Sequence, residues 1–284
     1  MSNRRTTKVM RLWDWSLPPT SAHREVLSIV PEGWHDAPRA TRRPPILFIH
    51  GLAHGAWCWR EHWMPAAAER GFPTYAVSLR GHGDSGGRKR LGRTLMRHYV
   101  HDVMQTITEL PQPPIIVGHS MGALIAQLVA DRYQPRGLAL LTPAPIQGAA
   151  YTLPRMIRRR PLDAAKVMTG GTLPLRAQSL FTGLDDETAA RYVDRLGRES
   201  PWAQYELLIP HRIGPVRAPV LVVGTPEDRV VDEAATVRTA EVYGVEPVWI
   251  PGIGHDLMLD AGWEKPLSVL LDWIDEATSA DSTP

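Results

Sequence analysis

Cysteine is almost missing from this chain of 284 residues; Cys58 is the single copy. One cysteine cannot close an internal disulfide, and it cannot supply a cysteine-rich zinc site. Excess charge of one sign is also lacking. Lys and Arg total 32 and Asp and Glu total 30, a formal net charge of +2. That balance gives no reason to expect a nucleic-acid partner. No apolar run approaches the roughly 18 residues of a membrane-spanning helix, so integral membrane association is not expected. Residues 1–20 begin with Arg4 and Arg5 but hold no apolar stretch of about 7–15 residues, so they do not read as a signal peptide, and a cytoplasmic location is expected. Trp13 and Trp15 in that segment read as docking onto the domain body. Internal repeats and low-complexity tracts are absent, and so is the metal-binding pattern H-E-x-x-H. No metal or organic cofactor is expected.

What is present is a globular composition, 43% hydrophobic and 22% charged. Three segments share one pattern: PPILFIHG (44–51), PPIIVGHS (113–120) and APVLVVGT (218–225). Each is a proline-bounded aliphatic run ending in glycine or a polar residue, as expected of a strand covered on both faces. PTYAVSL, LALLTPAP and EPVWIPG are further strand candidates. Helical stretches follow them. One covers Arg60 to Arg70. Another places Leu95, Tyr99, Val103, Ile107 and Leu110 on one face. Further helices are expected at GALIAQLVADRY, around Asp232–Tyr243 and near Trp263–Glu276. This alternation predicts an α/β fold, a mostly parallel sheet with helices on both sides. The rhythm stops after Pro145. Residues 147–216 read as short helices broken by Gly and Pro, a cap inserted into a core made of 1–146 and 217–284. Insertions of that size on a rigid scaffold commonly carry function.

Gly118-His119-Ser120-Met121-Gly122 is a G-x-S-x-G pentapeptide. The pattern alone is weak, but here it lies between an apolar strand and a helix, the setting of a nucleophile elbow. The flanking glycines fit a tight turn that leaves the serine hydroxyl exposed at a helix N-terminus. His119 alternates away from that hydroxyl and is a poor base.

In these residues and their setting the chain resembles an α/β-hydrolase fold serine hydrolase, from about Val26 to Glu276. The resemblance implies a sheet of about eight strands and a triad in the order serine, acid, histidine. It assigns the base to His255, after the last strand in IPGIGH, and the acid to Asp228 in PEDRVV. Glu227 is the rival acid. Asp256 is read as a pocket or surface residue. His50-Gly51 opens the loop facing the nucleophile, with the backbone N–H groups of Leu52 and Met121 as the implied oxyanion donors. R-G-H-G-D-S-G at 80–86 resembles a structural turn of the family.

The implied activity is hydrolysis of carboxylic esters, and by extension lactones and thioesters, through an acyl-serine. Ser120 argues against the dehalogenases and epoxide hydrolases of the same fold, which use a carboxylate nucleophile. HGLAHGAWCW is similar to plant methylesterases and hydroxynitrile lyases, but Gly51 and Asp256 stand where the lyases carry a hydroxyl residue and a lysine. Carbon–carbon bond hydrolases, cofactor-free perhydrolases and a non-catalytic ligand-binding receptor are the alternatives on this scaffold. Trp57, Phe181, Trp202 and Leu257 are the expected substrate contacts. The basic run Arg155–Arg160 is read first as a solvated helix face, with an anionic-substrate clamp as the rival.

Overall fold

The computed structural model describes residues 23–38 and 42–279. The segment with Trp13 and Trp15 lies outside the described residues. Seven strands form one sheet among those described: β1 (Val26–Ile29), β2 (Ile46–Ile49), β3 (Thr74–Val77), β4 (Ile115–His119), β5 (Gly137–Leu141), β6 (Val220–Gly224) and β7 (Val248–Trp249). Their order is β1-β3-β2-β4-β5-β6-β7. β1 runs antiparallel to β3, and every other pairing is parallel. The count is one below the expected eight or so.

The aliphatic runs divide their side chains between the two faces, as strand alternation requires. Ile46, Phe48, Ile115, Val117, Ala139 and Leu141 face one core, with Trp59, Trp63 and Met64 and with Leu267, Leu270 and Ile274 of the last helix. Leu47, Ile49, Ile116, Leu138 and Leu140 face the other, against Tyr99, Val103 and Ile107 and against Leu124 and Ile125. Burial of each such side chain is worth about 1.5–3 kcal/mol. The two apolar layers therefore hold β2, β4 and β5 rigid.

Helix boundaries follow local chemistry. Asp232 caps the helix Glu233–Tyr243 by accepting from Ala235 N at 2.9 Å, and Gly244 ends it in a left-handed conformation. The stretch expected as one helix from Arg60 is two short ones, Trp57–Arg60 and Trp63–Glu69, broken at Glu61-His62. Between β5 and β6 the chain forms five short α-helices: Leu153–Arg159, Pro161–Met168, Ala177–Leu180, Asp186–Asp194 and Pro201–Glu206. Prolines begin three of them, where a missing N–H costs nothing.

The order of strands matters for the site. The chain lays β3 on one side of β2 and then crosses to β4 on the other. The carboxyl ends of β2 and β4 thus flank a topological switch point, where sheets of this kind open a crevice.

Candidate active site

Ser120 leaves β4 at that crevice with φ 53° and ψ −119°. A non-glycine residue there is strained and stays only if its surroundings fix it. They do. Ser120 N donates to Leu141 O at 3.0 Å, and Ser120 O accepts from Ala123 N at 3.0 Å and Ala144 N at 3.2 Å. The glycines are dictated by contact. A Cβ on Gly122 would lie 2.3 Å from Ile49 O, and one on Gly118 would lie 2.4 Å from Gly122 O. Both obstacles are backbone, so no side chain can be fitted.

Asp228 and His255 meet from separate connections. His255 Nδ1 lies 2.7 Å from Asp228 Oδ2, and both side chains are buried. Asp228 Oδ1 accepts from Val230 N and Val231 N, each at 2.8 Å, which aims the carboxylate. Burial pulls the His255 pKa down, but the charge and hydrogen bond of Asp228 outweigh it, and the net shift is upward. Glu227 turns instead to the Thr225 hydroxyl at 2.9 Å. His119 Nε2 donates to His255 O at 3.0 Å. Burial first, then the neighbouring His255, pushes its pKa down to about 3.

Leu52 and Met121 bracket the serine. Neither N–H enters a backbone hydrogen bond among the described residues, and Met121 opens its helix, where no acceptor lies one turn back. Leu52, Ser120 and Asp228 line a cavity of about 530 Å³, a size suited to a small-molecule ligand. Its walls come mainly from residues 144–179 and 204–208.

Two buried ion pairs brace the loop after β2, and neither was anticipated. In the first, Glu199 Oε2 accepts from Ala53 N at 3.1 Å and lies 3.1 Å from His82 Nε2, while Oε1 takes the Tyr99 hydroxyl at 2.6 Å. Burial pushes the Glu199 pKa up, but His82 reverses this and holds it below the ordinary carboxylate value. His82 shows the converse: burial lowers its pKa, and Glu199 raises it above the ordinary imidazole value. In the second, His54 Nδ1 donates to Leu52 O at 2.8 Å, and His54 Nε2 lies 3.0 Å from Asp256 Oδ2. Asp256 is fully buried, which corrects its expected place in the pocket or at the surface. Burial pushes its pKa up, but His54, His119 and His255 together bring it net downward. His50 is also structural: its Nε2 accepts from Leu79 N at 3.0 Å.

The expected substrate contacts lie elsewhere. Phe181 and Leu257 are buried in the core. Trp57 stacks on Tyr192, with Arg195 4.0 Å from its ring centroid. Trp202 is 56% exposed. None of the four lines the cavity. Met156, Leu175 and Leu208, aromatic-free positions of the same stretch, do. His119, His255 and Asp256 are the described group spaced to hold a metal ion, but His255 Nδ1 and His119 Nε2 already serve the hydrogen bonds above.

A site of this kind, a strained serine at a strand–helix turn beside a buried His–Asp pair, belongs with hydrolases of this sheet topology. The chain belongs to the alpha/beta hydrolase family, whose model matches residues 46–265. Methylesterase 3 of Arabidopsis thaliana is 31% identical over 94 residues, covering 32% of this chain. The chain spans about a third of the length (35%) of the curated methylesterases it matches. A monoacylglycerol lipase of Mycolicibacterium smegmatis is 24% identical over 271 residues, 87% of this chain and 92% of that protein. The solved structure of Paleococcus ferrophilus monoacylglycerol lipase superposes with a TM-score of 0.65 at 20% identity, covering 90% of this chain and 99% of that one. Among the described residues no helix is long and apolar enough to cross a membrane.

Proposed function

We propose that the protein is a serine hydrolase that cleaves carboxylic esters through an acyl-serine intermediate, with lactones and thioesters as chemically equivalent substrates. The observation that carries this reading is the strained Ser120 on the wall of a cavity that also reaches Asp228, whose carboxylate holds His255 at 2.7 Å. The names of the methylesterase and lipase relatives support an ester as the substrate class.

In the proposed cycle, Asp228 accepts a hydrogen bond from the Nδ1–H of His255, which fixes the tautomer and leaves Nε2 as the base. His255 removes the Ser120 proton as the oxygen attacks the ester carbonyl. The N–H groups of Leu52 and Met121 receive the developing oxyanion, a contribution of about 10²–10³ in rate for each donor. His255 then returns the proton to the leaving alcohol, and water repeats the sequence on the acyl-serine. Residues 147–216 act as the cap that encloses the acyl or alcohol group.

The test is labelling with a fluorophosphonate, together with turnover of a short p-nitrophenyl ester. Wild-type protein is expected to be labelled at Ser120, and Ser120→Ala to lose turnover by on the order of 10⁴–10⁶ with its circular dichroism unchanged. Full turnover in the alanine variant removes Ser120 from the chemistry.

A further inference from the structure

We infer that the ester substrate carries an anionic group, a carboxylate or a phosphate, separated from the scissile ester by an apolar stretch. This rests on the ester-hydrolase reading and adds to it the chemical class of the substrate.

The cavity that contains Ser120 is lined by four arginines: Arg155, Arg159 and Arg160 on one side and Arg229 on another. Its two carboxylates are already engaged. Asp228 holds His255 and two backbone N–H groups. Asp232 accepts from the Tyr151 hydroxyl at 2.7 Å and from Ala235 N at 2.9 Å. Arg160 donates to Ser179 Oγ at 3.3 Å and Arg229 to Gln178 O at 2.7 Å, both neutral acceptors. Asp163, the acid on the neighbouring helix, is held by both ends of the Arg176 guanidinium at 2.6 and 2.8 Å. The side chains of Arg155 and Arg159 have no hydrogen-bond or ion-pair partner among the described residues.

Arg155 and Arg159 are four residues apart on the helix Leu153–Arg159, so they share one face. Leu153 and Met156 join them on the cavity wall, and Val167, Leu175 and Leu207 add apolar surface to the cavity that holds Ser120. Cation and apolar wall together fit an ester with a charged far end; a wholly apolar acyl chain would leave the guanidinium groups unused. Arg155, Arg158 and Arg159 are all exposed at this helix, but Arg158 does not line the cavity, which makes it an internal control.

The test compares p-nitrophenyl hexanoate with two esters of the same chain length: mono-p-nitrophenyl adipate, which ends in a carboxylate, and p-nitrophenyl 6-phosphonooxyhexanoate. At low ionic strength, at least one anionic ester is expected to exceed the neutral one in kcat/KM by about tenfold, through KM. That ratio is worth about 1.4 kcal/mol, a size suited to two solvent-touched cation–anion contacts. It should shrink as salt is raised. The double variant Arg155→Gln/Arg159→Gln should bring the ratio to near one, and Arg158→Gln should leave it where it was; thermal melts check that each variant is folded. The preferred arm identifies the anion. The inference is overturned if the neutral ester is turned over with no anionic preference, if the double variant keeps the preference, or if Arg158→Gln abolishes it equally. Turnover of none of the three esters overturns the ester-hydrolase reading and this inference with it.

Discussion

Strands β2 and β4 and the helical stretch 147–216 reach the same cavity by different means. The strands deliver Leu52 and Ser120 through backbone geometry, at the ends of runs that are buried on both faces. The helical stretch lines most of the remaining cavity with side chains from short elements, several of which face solvent. Leu162 in this stretch is 84% exposed and Met168 is 70% exposed, whereas every residue of β2, β4 and β5 is buried. On the proposed reading, chemistry belongs to the part of the fold that permits least movement, and selectivity to the part where substitution is cheapest.

Substitutions can break or sharpen this contrast. After loss of the Ser120 hydroxyl itself, the largest effect is expected at Asp228→Asn, about 10⁴ in kcat, against about twofold for Glu227→Gln; equal losses would move the acid. The pH profile carries a second signature. With the carboxylate gone, His255 loses its main upward influence while burial still pulls down, so its pKa falls. The base must be neutral, so the acid limb of kcat/KM should shift to lower pH while the plateau drops.

The two buried ion pairs lie at the junction of the regions and come next. Asp256→Asn or Glu199→Gln should cost about 3–5 kcal/mol in denaturant unfolding, because each leaves a buried histidine without its carboxylate partner. For Glu199 the cost should vary with pH. Its depressed pKa stabilises the fold above the ordinary carboxylate value, and that stabilisation is lost as pH falls through the folded value. The raised pKa of His82 stabilises the fold below the ordinary imidazole value, and this is lost as pH rises through the folded one. The difference between wild type and Glu199→Gln should therefore peak between about pH 4.5 and 6.5. A flat difference would mean that the pair is uncharged. The smallest effect is expected at Trp202→Ala, within about 0.5 kcal/mol of stability and with KM unchanged. A large rise in KM would bring that exposed ring back into substrate binding.

The parts of this arrangement legible in the sequence were those with local signals. Aliphatic runs bounded by proline marked β2, β4 and β6, and glycines 118 and 122 announced a turn too tight for any side chain. The Gly-rich turn before His255 and the acidic turn after β6 were equally local. What escaped was long-range. Glu199 is one acid in a helical stretch, and its partners lie 146 residues away at Ala53 and 117 away at His82. His54 sits in plain view in HGLAHG, yet its role depends on Asp256, 202 residues on. Among the apolar residues expected to meet substrate, size and hydrophobicity suit a core as well as a pocket: Phe181 and Leu257 went to the core, and Met156, Leu175 and Leu208, equally apolar in the sequence, line the cavity.

One further acid ties the helical stretch to the site. Asp260, fully buried, accepts from Thr182 N at 2.8 Å, Gly183 N at 3.0 Å and Gly254 N at 2.6 Å, fastening the turn before His255 to the middle of the helical stretch. Gly197 N donates to Ala53 O at 2.7 Å and does the same for the loop after β2. Lifting residues 182–197 as a body would pull at both jaws of the site together. Residues 150–175 are fastened elsewhere, by the Tyr151 hydroxyl on Asp232 at 2.7 Å and Leu173 N on the Gln204 side chain at 2.6 Å, and these bonds reach neither the turn before His255 nor the loop after β2.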